Sequence, residues 1–304
     1  MKWDDNGPSQ DLEDRRGQSG GGGGGFRLGG GRLGIGGFLV LLVLSVVFKT
    51  DLTGALGGGD GGGGGGGPSQ SAPAVGGPPG PPGPPGAPVR TTAEEEQLVR
   101  FMSFVLDDAQ ANWTKVFAAG GAEYPRARLV LFRDEVSTGC GGATSASGPF
   151  YCPADRKVYI DLNFYDELRK RFGAPGDFAQ AYVLAHEIGH HVQNVLGTER
   201  KMRQLQQQNP SARNELSVRV ELQADCYAGI WGRHAEQQGR LQAGDIEEAL
   251  GAASAVGDDR ISEITGSSVR PESFTHGSAA QRMSWFRKGF DSGAMDACNT
   301  FATR

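Results

Sequence analysis

His186, Glu187 and His190 form an H-E-x-x-H pattern within Ala185-His186-Glu187-Ile188-Gly189-His190. On a helix, side chains four residues apart lie one turn above each other, so His186 and His190 can offer imidazole nitrogens to one ion. Neutral imidazoles hold Zn²⁺ without cancelling its charge, and the ion lowers the pKa of its water to about 7. Glu187, adjacent in sequence, is placed to take the proton from that water and to pass it to a leaving amine. The pattern predicts one catalytic zinc ion and peptide-bond hydrolysis.

A catalytic zinc site has three protein ligands and one open position, so a third ligand must come from elsewhere. The metzincin extension would place Gly at 193 and His at 196, where this chain has Gln193 and Leu196. Farther on, Glu221-Leu222-Gln223-Ala224-Asp225 carries two carboxylates four residues apart. Their neighbours Leu222, Ala224, Cys226, Tyr227 and Ile230 are those of a packed helix, not a solvated one. Glu221 is the expected third ligand, and Asp225 the acceptor that orients a ligand imidazole. His191 points about 100° away around the helix and is read as a supporting or surface histidine. Peptide hydrolysis also needs a donor for the developing oxyanion. His276 is the candidate taken into the catalytic set, with Arg282, Tyr159 and Tyr165 as rivals.

The elements that must position these groups follow from periodicity and punctuation. Thr91 or Thr92 with Glu94 or Glu95 resembles a capping box opening a helix through Leu98, Phe101, Val105 and Val116. RLVLF (Arg128 to Phe132) and KVYIDL (Lys157 to Leu162) are candidate strands of a small sheet. A helix capped by Asp177 and Gln180 runs through His186 to Gly197, and a second follows Pro210 and ends at Gly239. Shorter helices start at Asp245 with Glu248 and at Ser278 with Gln281. The expected fold is α+β, mostly helical, in one domain over residues 91–304.

Ahead of that domain the composition changes. Of 50 glycines 30 fall before position 91, with 10 of 16 prolines, so this stretch builds no core. Residues 33–48, LGIGGFLVLLVLSVVF, form an uncharged run expected to be a single transmembrane helix. Residues 1–32 are read as a disordered cytoplasmic segment and 49–90 as a Gly/Pro-rich linker. Lys2, Arg15, Arg16, Arg27 and Arg32 before the run set the N-terminus inside and the domain outside the cytoplasmic membrane. The four cysteines then suit two disulfides, Cys140 with Cys152 across a short loop and Cys226 with Cys298. A formal charge of −5 gives no footprint for nucleic acid.

DRRGQ (Asp14 to Gln18), the early span, GPFYCPAD (Gly148 to Asp155), VLAHEIGHHVQ (Val183 to Gln193), ELQADCYAGIW (Glu221 to Trp231) and THGSAAQR (Thr275 to Arg282) resemble the YpfJ-like neutral zinc metallopeptidases of bacteria. More distantly, HEIGH with ELQAD and a late His then Arg resembles gluzincins of the CAAX-prenyl peptidase and HtpX type. The resemblance implies a zincin-like domain with two His and a Glu on zinc, acting on peptide or protein substrates. One departure stands out: Gly277 follows His276 where the distant relatives usually carry Pro. The alternative function is a non-catalytic, zinc-stabilised envelope-binding module, which would have no use for Glu187 beside an open position.

Overall fold

The structure, a computed structural model, describes residues 1–17 and 91–302. It is α+β and mostly helical, as expected. Helix α1 (Ala93–Ala119) precedes β2 (Arg128–Phe132), the hairpin β3 (Glu135–Thr138) and β4 (Gly141–Thr144), then β5 (Phe150–Cys152) and β6 (Lys157–Asp161). Helices α2 (Asn163–Lys170), α3 (Asp177–Leu196), α4 (Thr198–Gln208), α5 (Arg213–Gln237), α6 (Asp245–Ala255), α7 (Asp258–Thr265) and α8 (Ala279–Ser292) complete it. With β1 (Leu12–Asp14) contributed by the N-terminal segment, the sheet runs β1-β2-β6-β5.

Strand β1 corrects the reading of residues 1–32 as a disordered segment for residues 1–17, while residues 18–32 lie outside the described residues. It pairs in parallel with β2, Leu12 beside Leu129 and Asp14 beside Leu131. Trp3 packs edge-on against Phe101, with ring centroids 5.5 Å apart. Arg16 is buried and ion-paired with Asp14 at 2.6 Å, Glu96 at 3.0 Å and Glu95 at 3.2 Å. Removing one partner of a buried ion pair leaves an uncompensated charge, so Arg16 ties the segment to the start of α1 in one geometry. The α-ammonium of Met1 meets Asp177 at 2.6 Å and Asp245 at 3.3 Å.

Hydrogen-bonded strands cannot be separated by roughly 30 Å of hydrocarbon. An N-terminus inside with the domain outside is therefore incompatible with this sheet, whatever path residues 18–90 take. The expected span at 33–48 and the linker at 49–90 lie outside the described residues. No helix among the described residues is long and apolar enough to cross a membrane.

Both expected disulfides form, Cys140 with Cys152 and Cys226 with Cys298. Helix caps hold in part. Thr92 accepts from the Glu95 amide at 3.1 Å, but the Glu95 carboxylate turns to Arg133 and Arg16. The Ser278 and Gln281 box forms in both directions. Asp177 and Asp245 do not cap their own helices. The Phe178 amide in the first turn of α3 donates instead to Glu248 of α6, at 3.0 Å.

Two glycines set the spacing of the helices around the site. A Cβ on Gly189 of α3 would lie 3.0 Å from the Ala224 carbonyl oxygen, and one on Gly289 of α8 would lie 2.0 Å from that of Cys226. Both neighbours are backbone atoms of α5, which α3 and α8 therefore approach more closely than side chains would permit. Gly189 is one of the two variable positions of H-E-x-x-H; here it brings α5 within reach of His186 and His190.

Shared sidedness of the two chain segments is testable. Single cysteines replacing exposed Gln10 and Lys201 should be labelled by a membrane-impermeant maleimide in intact cells either both or not at all, since the native cysteines are bridged. Labelling of one position without the other contradicts the sheet.

Candidate metal centre

Helix α3 presents His186 and His190 on one face, and α5 crosses it to deliver Glu221 and Asp225. The His186 and His190 Nε2 atoms are 3.2 Å apart. Glu221 Oε2 lies 3.2 Å from His186 Nε2, and its Oε1 lies 3.6 Å from His190 Nε2. Donors at zinc bond lengths of about 2.0–2.1 Å and tetrahedral angles stand roughly 3.3 Å apart, so this trio has the spacing of a zinc ligand set. His186, His190 and Glu221 converge as the sequence anticipates.

The donor chemistry agrees. His186 Nδ1 faces Asp225 Oδ1 at 2.8 Å, and His190 Nδ1 faces Gln193 Oε1 at 2.9 Å. Both partners accept, so each Nδ1 carries the hydrogen and each Nε2 turns a lone pair inward. Two imidazole lone pairs and a carboxylate facing one another repel unless a cation or proton lies between them. Burial opposes charge on His190, but the Glu221 carboxylate outweighs it and pushes the His190 pKa up to about 10. Burial likewise opposes ionisation of Glu221, yet in the metal-free site the His190 charge and hydrogen bonds from both imidazoles hold its pKa well below the usual carboxylate range, protons on Nε2 then standing where a cation would. The residues present fit a zinc ion.

Asp225 has the orienting place that the sequence gives it, and more. It is fully buried and receives Arg282 Nε at 2.9 Å on Oδ2 and Arg282 Nη2 at 2.9 Å on Oδ1. The Tyr182 hydroxyl donates to Oδ1 at 2.5 Å. Burial would raise the Asp225 pKa, but the Arg282 and His186 charges bring it below its ordinary value. Arg282 thus neutralises the carboxylate that holds His186 and is no free oxyanion donor. The tyrosines are occupied too: the Tyr159 hydroxyl donates to Asp155 and that of Tyr165 to the Met102 sulfur.

His276 stays in play. Its Nδ1 contacts Asp258 Oδ1 at 3.1 Å, while Asp258 Oδ2 accepts the amides of Thr275, His276 and Gly277 at 2.7, 2.7 and 3.0 Å. Burial disfavours the imidazolium, but the bond to Asp258 and the charge of Glu221 raise the His276 pKa. Gly277 has φ +90°, which proline's ring forbids. The Gly at this position therefore reflects a different turn, in which Asp258 of α7 holds the histidine. Sequence reasoning passed over Asp258, because its partner lies 18 residues on and α7 itself was not foreseen.

Glu187 is 7% exposed, and its carboxylate makes no hydrogen bond among the described residues. Burial raises its pKa, partly countered by the His190 and His186 charges. His191 is neither a surface residue nor a support for the ligands. It is fully buried, bonded to the Pro125 carbonyl at 2.6 Å and the Tyr151 hydroxyl at 3.0 Å, and burial lowers its pKa.

Residues 1–301 match the family described as "Putative neutral zinc metallopeptidase". The chain belongs to this family. Over 307 aligned residues it is 46% identical to "Uncharacterized protein YpfJ" of Escherichia coli (strain K12), covering 99% of each chain. It is also 46% identical over 190 residues to "Uncharacterized protein Rv2575" of Mycobacterium tuberculosis (strain ATCC 25618 / H37Rv), covering 59% of this chain and 64% of that one. No solved structure matches. The family match spans β1 as well as α3 and α5, in keeping with an N-terminal segment that is part of the fold.

The two carboxylates of α5 should separate on mutation. Glu221→Gln should leave the protein mostly metal-free at submicromolar zinc by elemental analysis. Asp225→Asn should still load zinc, about 10- to 100-fold more weakly. Loss of the buried Asp225 charge opposite Arg282 should also lower thermal stability. Full zinc occupancy in Glu221→Gln with an empty site in Asp225→Asn would reverse the roles.

Proposed function

We propose that the protein is a zinc-dependent peptidase that hydrolyses peptide bonds of peptides or proteins outside the cytoplasmic membrane. The observation that carries this is the convergence of three donors whose tautomers leave their lone pairs inward, beside a buried, unpartnered Glu187. Bound zinc would supply Lewis-acid polarisation of a water and of the scissile carbonyl. Glu187, its pKa raised by burial, accepts the proton of the attacking water and returns it to the leaving nitrogen. His276, held at Nδ1 by Asp258, is left with Nε2 to donate to the oxygen that gains charge. Asp225, with Arg282 and Tyr182 behind it, keeps the His186 ring in place.

A non-catalytic zinc module has less support. Such a site favours four protein ligands, whereas among the described residues three converge, and the buried Glu187 carboxylate beside them makes no hydrogen bond that would hold it as a structural element. The two disulfides support an oxidising compartment, and the pairing of β1 with β2 supports residues 1–17 lying on the same side of the membrane as the domain.

Cleavage of a proteome-derived peptide library by purified, zinc-loaded protein tests this proposal. Glu187→Gln should retain zinc and lose roughly 10²- to 10⁴-fold in kcat. His276→Ala should lose about 10²- to 10³-fold in kcat with zinc affinity unchanged. Full zinc occupancy with no cleavage in the wild type, or cleavage indifferent to Glu187, would favour the binding module.

A further inference from the structure

His186 has a charged support in Asp225, whereas His190 has an amide. Gln193, fully buried one turn along α3, places Oε1 2.9 Å from His190 Nδ1. The opposite assignment of that amide would aim an N–H at the ring, so its orientation matters, and the surroundings fix it. Gln193 Nε2 lies 2.8 Å from the Val220 carbonyl oxygen, which can only accept, so the nitrogen must face Val220 and the oxygen His190.

A second amide continues the chain with the same polarity. Gln193 Nε2 also donates to Gln223 Oε1 at 3.0 Å, and Gln223 Nε2 donates to the Cys298 carbonyl at 3.0 Å. That carbonyl again has no donor, so Gln223 too has one permitted orientation. Cys298 is fully buried and covalently tied to Cys226, the residue after Asp225. Every link has a defined direction, from an anchored backbone carbonyl to the ring nitrogen of a metal ligand.

We infer that Gln193 is a positioning residue that fixes His190 with hydrogen on Nδ1 and the lone pair on Nε2, and that Gln223 and the disulfide-anchored Cys298 carbonyl hold it in that orientation. This rests on the metal-dependent function proposed above and specifies how its second histidine is kept competent. The physical reason for an amide here is its double character. It accepts from His190 while donating to two oxygens, Val220 O and Gln223 Oε1, which an ionised carboxylate cannot do. An aliphatic side chain would leave His190 Nδ1–H and Gln223 Oε1 without partners in a buried place, and the ring free to turn.

The test is zinc affinity by chelator competition on the full chain, together with the d–d spectrum of the Co²⁺-substituted protein and the melting temperature of the metal-free form. Gln193→Leu should weaken zinc about 10- to 100-fold and alter the Co²⁺ spectrum. Gln193→Glu, which keeps an acceptor opposite Nδ1–H, should recover most of that loss even if its metal-free melting temperature falls. Gln223→Leu, which leaves the direct contact intact, should weaken zinc by less than Gln193→Leu. Wild-type affinity in Gln193→Leu, or equal losses in Gln193→Leu and Gln193→Glu, would overturn the inference while leaving the metal site standing. Should Gln193→Leu fail to fold, the Gln223→Leu affinity decides, and a value equal to wild type overturns it. A wild-type protein that binds no zinc would reject the proposed function itself and this inference with it.

Discussion

Three electron pairs directed at one point are the constraint around which this structure is arranged. Imidazole can present either nitrogen, and a helix alone does not choose between them. The choice is made by what lies behind each ring, Asp225 for His186 and Gln193 for His190. Once both Nδ1 atoms carry hydrogen, the inward face is rich in lone pairs and Glu221 adds a negative charge. Such a cluster is unfavourable without a cation, which is why the chemistry of the site and its architecture cannot be separated.

Holding the cluster together demands buried charge, and the fold supplies partners for it. Asp225 and Arg282 are both almost completely buried, joined by two hydrogen bonds, with Tyr182 adding a third to the carboxylate. An ion pair of this kind contributes little net stability compared with well-packed apolar residues, but removing one partner is costly. Its service is geometric: it fixes where α3, α5 and α8 meet. The glycines at 189 and 289 permit the approach, and the Cys226–Cys298 bridge pins the chain after α8 to the helix that carries Glu221.

Much of the site was legible in the sequence because its spacing is local. His186, Glu187 and His190 share a helix, and Glu221 and Asp225 share another, so the period of the helix reports their common faces. The disulfide partners followed from loop length and number. What could not be read were contacts between distant segments. Arg282 was visible as a charge but not as the counter-ion of Asp225, 57 residues away. Gln193 and Gln223 look like ordinary polar helix positions until α5 is laid across α3. The three-residue strand β1 is too short for a periodic signal, and its partner lies beyond a long Gly- and Pro-rich stretch that reads as a boundary. That stretch made the basic N-terminal residues resemble a topogenic signal, whereas Arg16 is an ion-paired part of the domain.

X-ray absorption at the zinc edge of the purified protein tests the central claim most directly. Two imidazole nitrogens at about 2.0–2.1 Å, with the remaining positions filled by oxygen donors and no sulfur, is the predicted coordination. Sulfur scattering near 2.3 Å, or a shell filled by four protein nitrogen and sulfur donors, would contradict the assignment of His186, His190 and Glu221 as an open, three-residue zinc site.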